Sequence, residues 1–468
     1  MLPMRSQSIA RFVSKSFRNV SQASCSVPLT DPIESGVSSR YPRPSSQEVK
    51  ISKLENGIRV ASIDNGGSVS KLAISLQSGS RYESVTNQGI SQLVKNAAFM
   101  ANKDRSALRT VREMQDIGGS LECSTSREAI TRQASFLRNK LVNAMQIMAS
   151  AFNGPLFYNW ELSEVKKMCR MENATYAANE NAVNLELLHK AAFRNGIGCS
   201  LYCNDLLIGK FSAHQLENFA QNNYNGEQLV IVGVDVNHDD LMTYARELFG
   251  SLPQSQPIKT APQKYYGGEA QTFTGVGLTY ASLVAEGAGL FHKDLPTLLV
   301  LQKVLGSGPY IKWGSNTVSS RLNKAALAVS DTPFIINALN LSYSDCGLFG
   351  FNVIASPSSI HKVLKSGVAQ VSNIAKGNIS VVDLERAKNQ AKASIMMVAE
   401  NKNDLLDDIV TQVMYSNSYI SPKVASAKID AVTIDNLIQV SKKVFSGKPT
   451  LAVTGNTSNP PYLDELFS

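Results

Sequence analysis

Apolar residues follow two different periods along this chain. In several stretches they alternate with polar residues, which is the period of a half-buried β-strand. Val49–Leu54 and Ile58–Ile63 are two such runs, and Asn56-Gly57 between them is a strong hairpin signal. The same criteria, together with short apolar runs, predict further strands at Leu72–Leu76, Leu121–Ser126, Ile130–Phe136 and Leu229–Val234.

Elsewhere apolar residues recur three or four positions apart, which is the period of an amphipathic helix. Ser106 can cap the N-terminus of one helix that Gly118-Gly119 ends. Strands and helices in alternation, with antiparallel hairpins among them, predict the α+β fold class. The other predicted helices are Gly89–Met100, Leu141–Phe152, Trp160–Ala178, Leu185–Phe193 and Ala213–Tyr224.

The second half of the chain repeats the first. Leu162 and Lys166 match Leu384 and Lys388 at a constant sequence offset of 222. A shared register requires a shared backbone plan, so we predict two homologous domains in tandem, residues 49–250 and 269–468. Ser251–Gly268, rich in proline and glycine, is the predicted linker. A sequence offset of 221 separates three further pairs, Ile208 and Ile429, Leu216 and Leu437, and Gly226 and Gly447.

Length and composition agree with this organisation. A chain of 468 residues exceeds the usual size of one hydrophobic core, so two domains are expected. With 43% hydrophobic and 18% charged residues, the composition is typical of a globular protein and not of a disordered one. No run approaches the roughly 18 apolar residues of a membrane span, so we expect any membrane association to be peripheral or through partners.

The N-terminus has a different composition from the rest. Residues 1–30 contain four spaced basic residues and no acidic one, with serines and apolar residues between them. This composition predicts a mitochondrial presequence, and the alternative is a disordered tail. Residues 31–48 are predicted to form an extended lead-in to the first domain. Without those four charges the net charge of +8 falls to +4, and no basic stripe interleaved with aromatics follows. The charge therefore gives no support to nucleic-acid binding.

Cysteines and histidines are scattered. Of six cysteines only Cys199 and Cys203 lie close together, and the five histidines are isolated in sequence. We predict free thiols in a reducing compartment, with neither a disulfide framework nor a zinc finger.

The stretch Gly89–Met100 carries the clearest candidate chemistry. Its apolar stripe leaves Gln92, Lys95, Asn96 and Phe99 on the opposite face. A helix framed in this way resembles the active-site helix of the pitrilysin-type metallopeptidases, the M16 family, whose inverted zinc motif is His-x-x-Glu-His. Registered on Gly89, the three chemical positions of that motif fall on Gln92, Lys95 and Asn96.

These three residues cannot perform the family's chemistry. Zinc requires imidazole, thiolate or carboxylate ligands, and hydrolysis requires a carboxylate base beside the bound water. Amides are poor zinc ligands, and Lys95 brings a positive charge to the place of the cation. The resemblance puts the family's third ligand near Glu172, which alone does not hold zinc. We therefore predict no catalytic, metal-binding or cofactor-binding residues, and a packed structural helix.

Other segments extend the resemblance to the M16 family. Ile117–Ser120 and Ser124–Glu128, with the pair Arg127-Glu128, match the family's first domain. A further set resembles those non-catalytic members that serve as core subunits of the mitochondrial cytochrome bc1 complex, the ubiquinol–cytochrome c reductase of the respiratory chain. This set comprises Ala191–Asn195, Leu201–Cys203, Ile208–Lys210, Leu305–Pro309, Lys312–Thr317 and Ser342–Gly350.

The resemblance implies two peptidase-like domains that enclose a cleft. It also implies a matrix-facing subunit without haem, iron–sulfur cluster or quinone, peripheral to the inner membrane. Such a subunit pairs with core subunit 1 and is attached to cytochrome b, cytochrome c1 and the Rieske protein in a dimeric complex.

A second interpretation is the non-catalytic, presequence-binding subunit of a mitochondrial processing peptidase. That subunit has a long glycine-rich loop, whereas the matching place here offers only Gly306, Gly308 and Gly314. An active zinc peptidase, the third interpretation, is contradicted by Gln92, Lys95 and Asn96.

Overall fold

The computed structural model describes residues 48–254, 261–306 and 320–467 of the chain. The predicted presequence, nearly all of the lead-in, and residues 307–319, which include the predicted loop segment Lys312–Thr317 with Gly308 and Gly314, lie outside these ranges. So do residues 255–260 of the predicted linker. Within the described ranges, no helix combines the length and the apolar character needed to cross a bilayer.

Residues 48–254 form six strands and eight α-helices. They occur in the order β1 (Lys50–Lys53), β2 (Arg59–Ile63), β3 (Val69–Leu76), α1 (Ile90–Asn96), α2 (Ala107–Asp116), β4 (Ser120–Thr125), β5 (Ile130–Leu137), α3 (Leu141–Asn153), α4 (Asn159–Ala178), α5 (Glu180–Phe193), α6 (Asp205–Ile208), α7 (Ala213–Asn223), β6 (Leu229–Val234) and α8 (His238–Phe249).

The rest of the described chain forms five strands and eight α-helices. They occur in the order β7 (Gly268–Phe273), β8 (Thr279–Glu286), α9 (Leu295–Leu305), α10 (Arg321–Leu327), β9 (Phe334–Ser342), β10 (Gly347–Ala355), α11 (Ile360–Ala375), α12 (Val381–Glu400), α13 (Lys402–Ser416), α14 (Pro422–Asp430), α15 (Ile434–Phe445), β11 (Thr450–Gly455) and α16 (Leu463–Phe467).

The two sheets have the same topology. The first has the order β1-β2-β6-β3-β5-β4 and the second the order β7-β11-β8-β10-β9. β2 pairs with β6 in parallel, as β7 does with β11, and all other neighbours are antiparallel. Apart from β1, each strand of the first sheet therefore has a counterpart in the second. The predicted α+β fold with a duplicated domain is confirmed.

The repeat extends to single hydrogen bonds. Lys166 on α4 donates to the carbonyl of Gly209 at 3.2 Å, and Lys388 on α12 donates to the carbonyl of Asp430 at 2.9 Å. The donors thus differ by 222 in sequence number and the acceptors by 221, the same offsets as in the sequence repeat. In both halves this bond ties the long helix to the short helix that precedes α7 or α15.

Each half covers a sheet of the other half with one helix. α13 packs its apolar face, including Leu406, Ile409 and Val413, on the first sheet against Ala73 and Val232. α5 lies on the second sheet, where Asn184 Nδ2 donates to the carbonyls of Tyr280 and Ala452 at 3.0 Å each. This reciprocal exchange makes the two halves mutually dependent for burial of their sheets.

The central strands explain why some predicted strands lacked alternation. β6 and β11 are buried along their whole length. A strand covered on both faces reads as a continuous apolar run. The hairpin between β1 and β2 is confirmed, and Gly57 in its turn has a φ of 93°, in the left-handed region that favours glycine.

The helix predicted over Gly89–Met100 ends earlier than the pattern indicates. α1 ends at Asn96, and Ala97 leaves the helix with φ −87° and ψ 1°. The amide of Ala98 then donates to the Lys95 carbonyl at 3.2 Å, so a tight turn replaces the helical bond. Ala97 and Ala98 stay buried in that turn, and for this reason periodicity alone overestimated the length of the helix.

α5 is longer than the predicted Leu185–Phe193. It begins at Glu180, because the side chain of Asn179 accepts a hydrogen bond from the amide of Ala182 at 3.2 Å and caps the helix. The apolar pattern overlooked this polar first turn. The five described cysteines are free thiols, and Cys25 lies outside the described residues.

Candidate functional site: a polar cluster between two helices

Local hydrogen bonds fix the start of α1. The carboxylate of Glu83 accepts from the amide of Gly89 at 2.7 Å and from the amide of Ser91 at 2.9 Å. It thereby supplies acceptors for amides that a helix N-terminus leaves unpaired. The apolar face of α1, with Ile90, Leu93 and Val94, is buried in the core of the first half. The opposite face is therefore held towards α4.

The polar face of α1 meets one carboxylate on α4. Lys95 Nζ donates to Glu172 Oε1 at 2.6 Å, and Gln92 Nε2 and Asn96 Nδ2 donate to Glu172 Oε2 at 2.9 and 3.1 Å. The structure thus brings together all four residues that the resemblance singled out. Phe99, placed on the same face by the sequence, lies beyond the end of α1 and packs against the apolar core instead.

The cluster holds Glu172 in its charged form. Burial acts to raise the pKa of Glu172, but the hydrogen bonds from Lys95, Gln92 and Asn96 outweigh it, so that its pKa is lowered. The side chains of Lys95 and Glu172 are 18% and 34% exposed, so the pair is partly screened by solvent. Burial raises the pKa of the neighbouring Cys169 thiol, which accepts from Asn96 Nδ2 at 3.3 Å.

A second layer fixes the cluster in place. Gln92 Oε1 accepts from the amide of Cys203 at 2.8 Å, and its Nε2 donates to Asn173 Oδ1 at 3.2 Å. Asn173 Nδ2 donates in turn to the carbonyl of Cys203 at 2.7 Å and to Asp205 Oδ1 at 2.7 Å. Sequence reasoning did not place Asn173 or Cys203 in this cluster, although the resemblance had singled out the segment Leu201–Cys203. For Asn173 the available signal was its adjacency to Glu172.

These residues do not fit zinc. The four positions offer two amides, one ammonium and one carboxylate, and both carboxylate oxygens already accept hydrogen bonds. A cation would have to displace the Lys95 ammonium and would find one strong ligand. Within the described ranges, no group of three or more His, Cys, Asp or Glu side chains is arranged to hold a metal ion. No peptidase step can be derived from this donor set.

The pair Arg127-Glu128 belongs to a different structure, a buried ionic cluster. Arg127 pairs with Glu186 on α5 at 2.5 Å and donates to the carbonyl of Cys199 at 2.6 Å. Glu128 accepts from Arg81 at 2.7 Å and from the Ser344 hydroxyl at 2.5 Å. Both residues therefore position neighbouring segments and do not face the Glu172 cluster.

Arg81 extends this ionic cluster into the second half of the chain. It also pairs with Asp345, donating through Nη1 at 2.8 Å and Nη2 at 2.5 Å. Burial acts to lower the pKa of Arg81, but the carboxylates of Asp345 and Glu128 outweigh it and raise that pKa. Asp345 lies in the segment Ser342–Gly350 that the resemblance had singled out, and it links the two halves across a nearly buried guanidinium.

Comparisons with known proteins agree with this architecture. Residues 59–205 match the family described as Insulinase (Peptidase family M16), and residues 210–391 match the Peptidase M16 inactive domain. The chain is 33% identical to the human cytochrome b-c1 complex subunit 2, mitochondrial, over 90% of its own length and 93% of that protein. The mouse protein of the same name is 32% identical, with shares of 90% and 92%.

Processing peptidases are more distant. The mitochondrial-processing peptidase subunit alpha of Solanum tuberosum is 27% identical over 90% of the chain and 84% of that protein. The matched domains, the repeated topology and the polar cluster at the motif positions lead to one conclusion. This chain is a non-catalytic member of the M16 peptidase family.

Proposed function

We propose that this chain is a structural core subunit, core subunit 2, of the mitochondrial cytochrome bc1 complex. In that role it supports assembly and stability of the complex that transfers electrons from ubiquinol to cytochrome c, and it takes no part in catalysis. The observation that carries the proposal is the replacement of the zinc motif by Gln92, Lys95 and Asn96, all bonded to Glu172, in a chain 33% identical to a cytochrome b-c1 complex subunit 2.

The proposal includes partners and a location. The chain resides in the mitochondrion, peripheral to the inner membrane on the matrix side, after removal of a presequence within residues 1–30. Its partners are core subunit 1, cytochrome b, cytochrome c1 and the Rieske protein, in a dimeric complex. Obligate interfaces of this kind bury about 2,000 Å² or more and survive purification.

The internal construction suits a rigid scaffold. Three features link the halves. They are the exchange of helices α5 and α13, the ion pair of Arg81 with Asp345, and the ion pair of Lys402 with the buried Asp235 at 2.5 Å. Breaking a buried ion pair by removing one partner is costly, so these links oppose relative motion of the halves. A scaffold benefits from that rigidity because its partners require fixed surfaces.

A second candidate is the presequence-binding subunit of a processing peptidase. The 27% identity to a processing-peptidase subunit alpha is the observation that supports this candidate. The higher identity to the cytochrome b-c1 complex subunit 2 proteins favours the scaffold role.

Native electrophoresis of mitochondrial membranes solubilised in mild detergent separates these functions. The gel is probed for this chain and for the absorbance of b- and c1-type haem. We expect the chain to migrate with both haems in one large complex. Migration as a heterodimer with a zinc-containing partner and no haem would establish the processing-peptidase role, and migration of the chain alone would refute both assemblies.

A further inference from the structure

A groove in the second half lies where the first half has a smaller and more polar one. The second-half groove is formed by the loop before α9, α9 itself, α12, α13 and α14, and has a volume of about 730 Å³. Ligand sites in proteins typically span about 300–1,000 Å³. Its lining is largely apolar and includes Leu290, Leu295, Leu299, Ile395, Ile429 and Val432.

The corresponding groove of the first half shows what has changed. It has a volume of about 380 Å³ and is lined by Glu186, Lys190 and Arg194, among others. At a sequence offset of 222, Glu186 and Lys190 correspond to Asp408 and Gln412 of the second-half groove. Gln412 thus stands where the first-half groove has the cation Lys190, and the second-half groove is larger and more apolar.

The rim of the second-half groove is positively charged. Lys293 and Lys428 line it and are exposed, and neither forms an ion pair within the part of the chain that the structure describes. The neighbouring Asp294 is occupied, because it accepts from Lys443 at 3.2 Å and lies 3.5 Å from His292. Two ammonium groups at the rim of an apolar groove favour a ligand with a negative end.

The carboxylate inside the groove is already bonded. Both oxygens of Asp408 accept from Gln412 Nε2, each at 3.0 Å, and Gln412 Oε1 accepts from the amide of Ile420 at 2.8 Å. Asp408 is therefore tied to the groove wall. Its charge still disfavours an anion at depth, which leaves the rim as the place for a negative head group.

We propose that this groove binds an amphiphile with an anionic head group, with one apolar tail along Leu295, Ile395 and Ile429 and the head at Lys293 and Lys428. The apolar lining and the unpaired rim lysines together select this chemistry over a neutral or cationic one. A free fatty acid and an acidic membrane lipid share it. The inference concerns a region outside the Glu172 cluster and does not depend on the proposed function.

A charge series at constant tail tests the head group. The purified full-length chain is titrated by calorimetry with dodecanoate, dodecanol and dodecylamine, the two charged compounds below their micelle concentrations and dodecanol below its solubility limit. We expect dodecanoate to bind at one site, dodecanol about tenfold more weakly and dodecylamine not measurably. Shortening the acid to decanoate removes two methylenes, and we expect at least about fivefold weaker binding if the tail is buried.

Variants locate the site. Lys293→Gln and Lys428→Gln should each weaken dodecanoate binding about fivefold, and Ala425→Phe should abolish it by filling the groove from α14. Lys190→Gln, in the first-half groove, is the matched control and should change nothing. Thermal unfolding of each variant establishes that it is folded. If Ala425→Phe does not fold, the two lysine variants still test the proposal, because both lysines are exposed.

Vesicles distinguish the two sources of the ligand. Co-flotation with phosphatidylserine vesicles, lost in the two lysine variants, would identify a membrane lipid, and dodecanoate binding without flotation would identify a free fatty acid. Three results would overturn the proposal: dodecylamine binding as tightly as dodecanoate, binding unaffected by folded Ala425→Phe, or no binding of either dodecanoate or vesicles.

Discussion

The repeated fold packs α1 against α4 in the first half and α9 against α12 in the second half. These two contacts are equivalent in position but opposite in chemistry. In the first half three polar side chains of α1 converge on Glu172. In the second half α9 contributes Leu298, Leu301 and Leu305 to the same apolar core as Leu384, Ala387 and Ala391 of α12.

The difference shows what is required of this position and what is not. Apolar packing suffices to join the two helices, since the described residues of α9 and α12 form no ionic cluster with each other. The polar cluster of the first half is therefore not dictated by the fold. It retains the carboxylate that the M16 resemblance assigns to a zinc ligand, with an ammonium and two amides in place of the metal. The first contact should thus respond to charge and pH, and the second only to volume.

We expect the largest loss in the free energy of unfolding from a substitution in the apolar contact between α9 and α12. Leu301 on α9 is fully buried, and Leu301→Ala removes three carbons and leaves a cavity. We expect a loss of about 3 kcal/mol in the free energy of unfolding, measured by denaturant titration and equal at pH 7 and pH 5. Ile335→Ala on β9, where the side chain is 45% exposed, is the control and should cost much less. A strong pH dependence for Leu301→Ala would contradict the comparison.

The polar side should show a smaller, pH-dependent effect. Breaking a fully buried ion pair costs about 3–5 kcal/mol, and since a third of Glu172 is exposed we expect about 2 kcal/mol for Glu172→Gln at pH 7. The pKa of Glu172 is lowered on folding, so its stabilisation is present above the unfolded-state pKa and is lost as pH falls through the folded one.

The cost of Glu172→Gln, followed by denaturant titration from pH 7 downwards, should therefore shrink below about pH 4.5. Glu164→Gln on the same helix removes an exposed pair with Lys167 and should cost at most about 0.5 kcal/mol. If both substitutions cost the same, the cluster contributes nothing specific.

The exchanged helices α5 and α13 also differ, in a way that should affect how stability depends on pH. His189 on α5 is 1% exposed and contacts Tyr343 at 2.5 Å, whereas its counterpart on α13 at a sequence offset of 222 is Thr411. Burial, together with the charge of Arg127, lowers the pKa of His189 to about 3. The unfolded chain binds that proton more readily, so stability falls as pH decreases below about 6.5.

We expect a loss of about 1 kcal/mol between roughly pH 7.5 and pH 5.5 from this histidine alone. His189→Gln should flatten that part of the stability profile, whereas His214→Gln, at an exposed histidine on α7, should leave it unchanged. A wild-type profile with no slope in this range would show that His189 is protonated at no cost.

The repeat and the residues of the polar cluster could be predicted from the sequence, but the connections between the halves could not. The sequence offsets of 221 and 222 are local facts, and the helix pairs α4 and α12, α5 and α13, and α7 and α15 obey them. That α13 lies on the first sheet is a contact between residues far apart in the sequence, such as Val230 and Ile409. An apolar helix face does not specify which sheet it covers.

The same limit explains the second layer of the site. The resemblance indicated Glu172 by its spacing from Gln92, whereas the bond of Gln92 to Cys203 depends on a loop that no periodicity positions. The pairing of Arg81 with Asp345 likewise joins residues of two halves. Local pattern therefore predicted the elements, and tertiary contact determined their polar connections.

Metal analysis of the purified chain, joined to a presequence-peptide cleavage assay, tests the central claim most directly. The triple variant Gln92→His, Lys95→Glu and Asn96→His restores the zinc motif beside Glu172 and is the positive control, expected to bind zinc with a Kd of about 1 µM or tighter. After a chelator wash and re-exposure to zinc, we expect no stoichiometric zinc and no cleavage by the natural chain. One tightly bound zinc per natural chain, with peptide turnover, would contradict the account.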